Sequence, residues 1–305
     1  MRESIHKYYQ VGLIAFMAYP SIIKGDDPET MTYLRKIAYD DYFDAVELSW
    51  IKDDQMRAEA AKLFDTAHVK VCYGAQPRLL TTGFNPNHID EAERKKAEDT
   101  LMEAIDEAEQ LGAKGIAFLS GKWQQETKDE AYAQLLKTTR NLCDYAKTKG
   151  MIVELEVFDY DIDKASLIGP APYAAQFAAD MRTTHANFGL MIDLSHIPMT
   201  HETSEFVVRT LRPYITHLHI GNTVCQNPAD EGYGDLHQRF GFPNSSNDTP
   251  QLLEFLRVLK NEGFMNEKDP LVLSFEVKPY QDEDADAVVA NAKRVLNRAW
   301  ALLED

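Results

Sequence analysis

A regular alternation of short apolar runs and longer amphipathic segments constrains the fold of this chain more than any other feature. Eight runs of 7 to 8 residues are rich in β-branched or aromatic side chains, as buried parallel strands are; they span 10–17, 43–50, 69–75, 114–120, 152–158, 188–195, 215–221 and 271–277. Helical patterns between them cover 53–66, 89–111, 129–149 and about 283–303, and Thr249–Pro250 indicates an N-cap followed by proline at the first helical position.

Eight strand–helix units in 305 residues predict the α/β class, specifically a (β/α)₈ TIM barrel. A doubly wound sheet is disfavoured because Gly12 and Gly74 stand alone, without the glycine-rich turn of a dinucleotide-binding fold. No linker-like stretch divides the chain, so we expect a single barrel domain over residues 1–305.

The net charge and the cysteines indicate which partners and which cellular compartment to expect. The 49 acidic residues exceed the 32 basic ones, and a net charge of −17 would repel a phosphodiester backbone. No apolar stretch approaches the roughly 20 residues of a membrane span, and MRESIHKYYQ lacks the apolar region of a secretory signal. The three cysteines, Cys72, Cys143 and Cys225, form no CxxC pair. We therefore expect a cytoplasmic protein with neither a nucleic-acid nor a membrane partner.

Four polar residues stand near the ends of apolar strands, where packing does not call for them: Glu156, Asp193, His219 and Glu276. Strand ends converge around the axis of a barrel, so residues far apart in sequence can share one site. A set of three carboxylates and one imidazole suits Mn²⁺, Mg²⁺ or Co²⁺, and such an ion would offset the cost of burying the acids. The sequence predicts one divalent metal ion, with Mn²⁺ preferred, bound by these four residues.

Two further polar residues share the inward side of the same strands, by the two-residue period of a strand. Glu154 lies deeper than Glu156, and we expect it to support a ligand or to pair with a buried Arg or Lys. His217 lies two residues before His219, as Glu154 lies two residues before Glu156, and His217 is an alternative metal ligand.

The pocket around this site is less clearly marked. Trp50 ends the second strand, Lys122 and Trp123 follow the fourth, and Lys278 follows the eighth. Trp50, Lys122 and Lys278 are candidate substrate-binding residues, since aromatic side chains at a barrel mouth commonly stack on sugars, although rim packing would also explain them. No glycine-rich phosphate cradle follows strands seven and eight, which disfavours a phosphorylated sugar.

Together, Glu156, Asp193 with His196 in DLSH, His219 in HLHIGN and Glu276 in SFEVKP resemble the xylose isomerase-like TIM barrel superfamily, which includes ketose 3-epimerases, inosose dehydratases and sugar-phosphate isomerases. The resemblance implies that Glu156 and Glu276 bind the metal and also exchange a proton with a sugar carbon. It further implies that His196 holds a substrate oxygen.

One long segment departs from the epimerase pattern. Epimerases follow their HLH motif with a short segment carrying a substrate-binding arginine, whereas here an irregular stretch runs over 222–248. We expect it to lie over the metal and to supply the catalytic candidate His237 or the substrate-binding candidate Arg239. Its GYGDLHQRFG core, with DYDIDKASLIGP, resembles the larger subunits of bacterial C-glycoside deglycosidases, which usually work with a small β partner.

These features support one leading hypothesis and one alternative. The leading hypothesis is a metal-dependent sugar isomerase or epimerase that abstracts a proton beside a carbonyl through a metal-stabilised enediolate. The alternative is a carbon–carbon lyase that eliminates the aglycone of a 3-keto-C-glycoside. A repair endonuclease resembling endonuclease IV is disfavoured by the charge, and a non-catalytic sugar-binding barrel by the complete ligand set. A homo-oligomer or a small β-subunit partner fits either enzyme.

Overall fold

The computed structural model describes residue 1 and residues 3–304. Its eight strands all run parallel and close into a barrel in chain order, with Tyr9 of the first strand paired to Leu271 of the last. The strands are β1 (Tyr9–Ile14), β2 (Ala45–Leu48), β3 (Lys70–Gly74), β4 (Gly115–Leu119), β5 (Ile152–Glu156), β6 (Phe188–Asp193), β7 (Ile215–Gly221) and β8 (Leu271–Glu276). The predicted TIM barrel is confirmed, and each strand overlaps its predicted run. The end of the first run is wrong, because residues 15–17 lie in a short helix and not in the strand.

Helices between the strands cover the outside of the barrel. They are α1 (Ala15–Ala18), α2 (Thr30–Ala38), α3 (Asp54–Ala67), α4 (Gln76–Leu80), α5 (Glu91–Gln110), α6 (Lys128–Thr148), α7 (Ala171–Arg182), α8 (His196–Met199), α9 (Ser204–Leu211), α10 (Thr249–Asn261) and α11 (Ala285–Leu302), with 3₁₀ turns at Ile5–Lys7, Pro20–Lys24 and Gln125–Thr127. The main apolar core lies between this helical layer and the barrel; Phe64, Leu101, Phe177 and Phe255 are among its fully buried members.

Helix boundaries follow local chemistry. Gly112 and Gly150 lie just beyond α5 and α6 with φ of 79° and 69°, a left-handed conformation that glycine adopts without strain. The predicted start of α10 is wrong by one residue. Asp248 is the N-cap: its carboxylate accepts from backbone N–H groups of the first turn, and the Gln251 side chain accepts the Asp248 backbone N–H. Thr249 is therefore already helical.

Candidate active site

The carboxyl ends of β5 to β8 bring Glu156, Asp193, His219 and Glu276 together. Glu156, Asp193 and Glu276 are the last residues of their strands, and His219 is paired in register with Asp193. All four side chains are buried, and one ligand atom from each lies within 4.8 Å of the others. The barrel therefore gathers the predicted metal-binding residues into one compact cluster.

Crowded acids shape the electrostatics of this cluster. His219 Nδ1 lies 2.8 Å from Glu276 Oε2 and 3.5 Å from Glu156 Oε1. Burial and the neighbouring Glu156 carboxylate raise the pKa of Glu276, although His237 and His219 oppose this. Three carboxylates held this close repel one another unless a cation lies between them.

The donor set fits a divalent ion. Gln76 Nε2 donates to Glu156 Oε2 at 2.6 Å, whereas Glu156 Oε1 is buried and accepts no hydrogen bond from the residues that the structure describes. The backbone N–H of Ser195 donates to Asp193 Oδ1 at 2.9 Å, and the Ser195 hydroxyl donates to the other Asp193 oxygen. Side chains oriented by outer hydrogen bonds, with an unpartnered oxygen facing inward, are typical of a metal centre that prefers oxygen ligands.

The 222–248 segment contains no helix or regular strand and carries His237 into this cluster. His237 is 3 % exposed and adopts a left-handed backbone conformation with φ of 52°. Its Nε2 lies 3.5 Å from Glu276 Oε1, and its Nδ1 lies 3.6 Å from Asp193 Oδ2. The loop thus adds a buried imidazole to the cluster, not a surface histidine.

Asp235 links this imidazole to His196. Its Oδ1 lies 2.9 Å from His237 Nε2 and 3.2 Å from His196 Nε2, and Lys164 Nζ lies 3.0 Å from its Oδ2. Burial alone would lower the pKa values of both imidazoles, but Asp235 and neighbouring carboxylates raise that of His237 to about 9 and that of His196 to about 10. His196 Nδ1 donates to the Val157 carbonyl at 3.0 Å, which fixes the ring.

The two segments that resemble the deglycosidases meet at this point. In DYDIDKASLIGP, the buried Asp159 carboxylate accepts the backbone N–H groups of Ile162, Asp163 and Lys164 at 2.7–2.8 Å. This turn presents Lys164 to Asp235 of the GYGDLHQRFG segment. Asp159 therefore acts through the backbone, by holding the turn that delivers Lys164.

Two asparagines attach the long loop to the barrel. Asn247 Nδ2 donates to the carbonyls of Leu194 and Gly221 at 3.2 and 3.1 Å, and its backbone N–H donates to Asn222 Oδ1 at 2.8 Å. Asn222 Nδ2 in turn donates to the Arg239 carbonyl at 2.8 Å. Both asparagines are buried, and through these bonds they join the two ends of the loop to the barrel and to Arg239, two residues beyond His237.

A second polar layer lies below the cluster, inside the barrel. Glu47 Oε1 lies 2.9 Å from His217 Nε2 and 3.0 Å from His219 Nε2. His217 Nδ1 lies 3.3 Å from Glu154 Oε2, and the Thr216 hydroxyl donates to Glu154 Oε1 at 2.6 Å. The expectation that Glu154 pairs with a buried Arg or Lys is wrong, because the inward period of β7 places a histidine beside it.

The histidines of this layer also shift the pKa of Glu47. Burial opposes ionisation of the Glu47 carboxyl, but His219 and His217 hold its pKa well below the ordinary value. Burial likewise opposes protonation of His217, while Glu47 and Glu154 raise the pKa of His217 to about 9. Within the described residues, Glu47 with His217 and His219, and Asp193 with His196 and His237, are two further groups whose spacing would suit a metal.

The remaining predicted residues lie outside the cluster. The Arg239 guanidinium pairs with Glu283 at 2.8 Å and donates to the Gly241 carbonyl, so it points toward the rim. The Trp50 ring packs under the Arg78 guanidinium, whose central carbon lies 4.6 Å from the ring centroid. The half-buried Lys278 is joined to the loop through its backbone, which donates to the His237 carbonyl at 2.6 Å.

A cleft of about 590 Å³ opens beside the cluster. It is lined by Leu79, Phe84, Pro86, Leu119, Lys122 and Lys164, among others. Leu119 is paired in register with Glu156, and Lys164 contacts Asp235, so the cleft adjoins the site. Its wall is mainly apolar, and Lys122 and Lys164 are among its polar lining residues.

Sequence reasoning missed Glu47, Gln76, Lys164 and Asp235. Glu47 stands within the apolar run FDAVELSW, where an internal acid is itself a signal. Asp235 precedes His237 by two residues and could have been found by the same reasoning. Gln76 and Lys164 carry no comparable signal, because only the fold shows which acid each side chain reaches.

Residues 37–298 match the family model described as "Xylose isomerase-like TIM barrel". No curated protein sequence matches the chain. Among the described residues, no helix is long and apolar enough to cross a membrane.

Solved structures show the same fold at low sequence identity. A D-psicose 3-epimerase from Clostridium cellulolyticum H10, solved with D-tagatose, superposes with a TM-score of 0.71 at 16% identity, covering 97% of this chain and 100% of that one. A D-tagatose 3-epimerase-like protein gives 0.70 at 20% identity, with 96% and 98% coverage. A 3-keto-D-glucoside 4-epimerase from E. coli gives 0.65 at 14% identity, with 95% and 99% coverage.

Proposed function

The chain belongs to the xylose isomerase-like TIM barrel family, and from this membership we propose that it is a divalent-metal-dependent sugar isomerase or epimerase acting on a keto-sugar. The observation that carries the proposal is the buried cluster of Glu156, Asp193, His219 and Glu276 at the carboxyl ends of four successive strands. The structural neighbours solved as sugar epimerases support the substrate class.

Glu156, Asp193, His219 and Glu276 would hold the ion, preferably Mn²⁺, which when bound would polarise a sugar carbonyl and stabilise negative charge on its oxygen. Glu156 and Glu276 approach this position from β5 and β8, on either side of His219. One carboxylate takes the proton from the carbon beside the carbonyl, which leaves an enediolate. The other returns a proton to the opposite face or to the neighbouring carbon, completing epimerisation or isomerisation.

The two further imidazoles orient the substrate. The Val157 carbonyl holds the His196 ring, Asp235 lies beside both imidazoles, and both imidazoles lie near Asp193. His196 Nε2, which makes no hydrogen bond with the described residues, and His237 Nδ1, which lies 3.4 Å from the Ser195 hydroxyl oxygen, would donate to sugar hydroxyl or carbonyl oxygens. Because the loop buries His237, it also excludes water from the reacting carbon.

The apolar cleft favours a second candidate function, a carbon–carbon lyase acting on a 3-keto-C-glycoside. A free ketose would leave most of this cleft unused, whereas an aglycone would fill it. In that reaction a carboxylate removes the proton beside the ketone, and the electron pair forms a double bond as the aglycone leaves from the next carbon. His237 would protonate the departing carbon, and its position beside Glu276 and Asp235 supports this role.

An assay in deuterated water tests both candidates. Mn²⁺-loaded protein is incubated with free ketoses and, separately, with 3-keto-glycosides, while NMR follows C–H exchange and chromatography follows aglycone release. Exchange with epimer formation supports the epimerase, and aglycone release supports the lyase. If the Mn²⁺-loaded protein shows no more exchange or aglycone release than the chelator-treated protein does, the proposal is contradicted.

The proposal also includes the cellular location and the assembly of the enzyme. A cytoplasmic location and either a homo-oligomer or a small β-subunit partner remain predictions. Light scattering of the purified chain tests whether it assembles with itself.

A further inference from the structure

We propose that Glu47 is a positioning residue that holds His219 with a proton on Nε2, so that the Nδ1 lone pair faces Glu156 and Glu276. The inference rests on the proposed metal-dependent function, because it concerns how one ligand of that site is oriented. Glu47 lies on β2, three strands from β7 around the closed barrel, and among the described residues its polar contact with the cluster is the one to the His219 imidazole.

The two ring nitrogens of His219 face different acids. Nδ1 lies 2.8 Å from Glu276 Oε2, within the carboxylate cluster, and Nε2 lies 3.0 Å from Glu47 Oε1, below it. A histidine binds a metal only through a nitrogen that has lost its proton. An ionised carboxylate accepts hydrogen bonds but cannot donate one, so Glu47 retains the proton on Nε2 and leaves Nδ1 as the ligand atom.

The Glu47 oxygen is itself fixed from below. His217 Nε2 reaches the same Oε1 at 2.9 Å, while Glu154 lies 3.3 Å from the other nitrogen of His217. The Thr216 hydroxyl donates to Glu154 and ends the chain of contacts. Glu47 Oε1 therefore sits between two imidazoles, and a flip of the His219 ring would break one of its bonds.

A packing role alone does not explain an acid at this position. Glu47 is 1 % exposed, in a barrel interior that branched apolar side chains usually fill. A buried carboxylate is costly, and apolar residues of similar volume often stabilise a fold as well or better. The hydrogen bond to a ligand histidine gives this costly group a function.

Metal affinity tests the inference. The metal-free wild type, Glu47→Gln and the matched control Glu154→Gln are titrated with Mn²⁺ by calorimetry, and thermal unfolding of each metal-free protein is recorded. The amide introduced by Glu47→Gln can turn its NH₂ toward His219 and favour the wrong tautomer, so we expect affinity to fall about 10–100-fold. Glu154→Gln removes a buried acid that touches His217 but not His219, so it should lower Mn²⁺ affinity less than Glu47→Gln does.

The outcomes distinguish failure of the Glu47 positioning role from failure of the metal-dependent function. Wild-type affinity in Glu47→Gln would overturn the positioning role while leaving the metal-dependent function standing. Absence of Mn²⁺ binding by the wild type would overturn both. Should Glu47→Gln fail to fold, ¹⁵N-histidine NMR of the Mg²⁺-loaded wild type decides: a protonated Nε2 and a coordinated Nδ1 on His219 support the role, and the opposite arrangement overturns it.

Discussion

At the residue scale, the cluster shows how one chemical type takes different roles in different surroundings. Glu156 keeps a buried oxygen without a hydrogen-bond partner, so it is available to a ligand. Glu154, two residues earlier on the same face, has both oxygens occupied by Thr216 and His217. Depth along the strand, rather than residue type, separates the acid with an unpartnered oxygen from the acid whose two oxygens both have partners.

Removing the charge of either proposed catalytic acid should affect turnover more than folding. We expect Glu156→Gln and Glu276→Gln each to lower kcat by ~10²–10⁴-fold, the usual effect of losing a proton-transfer group. The metal-free variants should unfold at or above the wild-type temperature, because each relieves repulsion among buried carboxylates. Steady-state kinetics at saturating Mn²⁺ and thermal melts check this, with Glu283→Gln, on the rim, as the control. Near wild-type kcat in either variant would contradict the assignment.

His237 distinguishes the two candidate reactions. Asparagine tolerates the left-handed backbone at this position, so His237→Asn removes the imidazole with little strain. If the enzyme is a lyase, we expect elimination to be lost while Mn²⁺ binding persists; if it is an epimerase, the main effect should be on substrate affinity.

His201→Asn is the matched control for this change, because His201 also has a positive φ of 61° but is exposed. It should leave both activities unchanged. Loss of Mn²⁺ binding in His237→Asn would instead place His237 among the metal ligands and contradict its separate catalytic role.

At the scale of elements, strands determine the cluster and loops complete it. Each of the strands β5 to β8 delivers one side chain to the same end of the barrel, whereas the 222–248 loop and the turn around Asp159 supply His237 and Lys164. A loop that carries a buried polar side chain needs polar anchors, since its own backbone makes few regular hydrogen bonds. Asn222 and Asn247 provide those anchors.

Weakening one anchor should impair the loop without disturbing the strands. Asn247→Ala leaves the carbonyls of Leu194 and Gly221 without this donor, a cost of about 1–3 kcal/mol if they remain buried. We expect reduced stability by chemical denaturation and a lower kcat, with Mn²⁺ affinity retained. Asn227→Ala, an exposed position of the same loop, serves as the control. Unchanged kcat in Asn247→Ala would show that the anchor does not position His237.

At the scale of the whole molecule, the barrel confines buried acids that a cation would stabilise. An ion that binds only the folded state raises the free energy of unfolding, by about 2.7 kcal/mol at a free concentration 100 times its Kd. We expect chelator treatment to lower the unfolding temperature and Mn²⁺ to restore it. Calorimetric melts across a Mn²⁺ series check this, with Glu276→Gln expected to respond less. A melting temperature independent of Mn²⁺ would contradict the metal site.

The barrel was predictable because its signal is local and repeated. Apolar runs alternate with amphipathic helices, and each strand lies where its run predicts. The shorter helices α2, α7 and α9 were not predicted; α7, for example, is rich in alanine, so its two faces differ little in polarity. The four candidate ligands were also visible, since Glu156, Asp193, His219 and Glu276 interrupt apolar strands at their ends.

Only the tertiary structure determined which side chains the strand-end residues contact. The amino-acid sequence determined the barrel and the identity of the strand-end acids, because periodicity and burial act over neighbouring residues. It did not show that Glu47 of β2 reaches His219 of β7, or that Asp235 joins His196 to His237. Those contacts depend on closure of the barrel and on the path of a long loop, which bring together side chains separated by up to 172 positions.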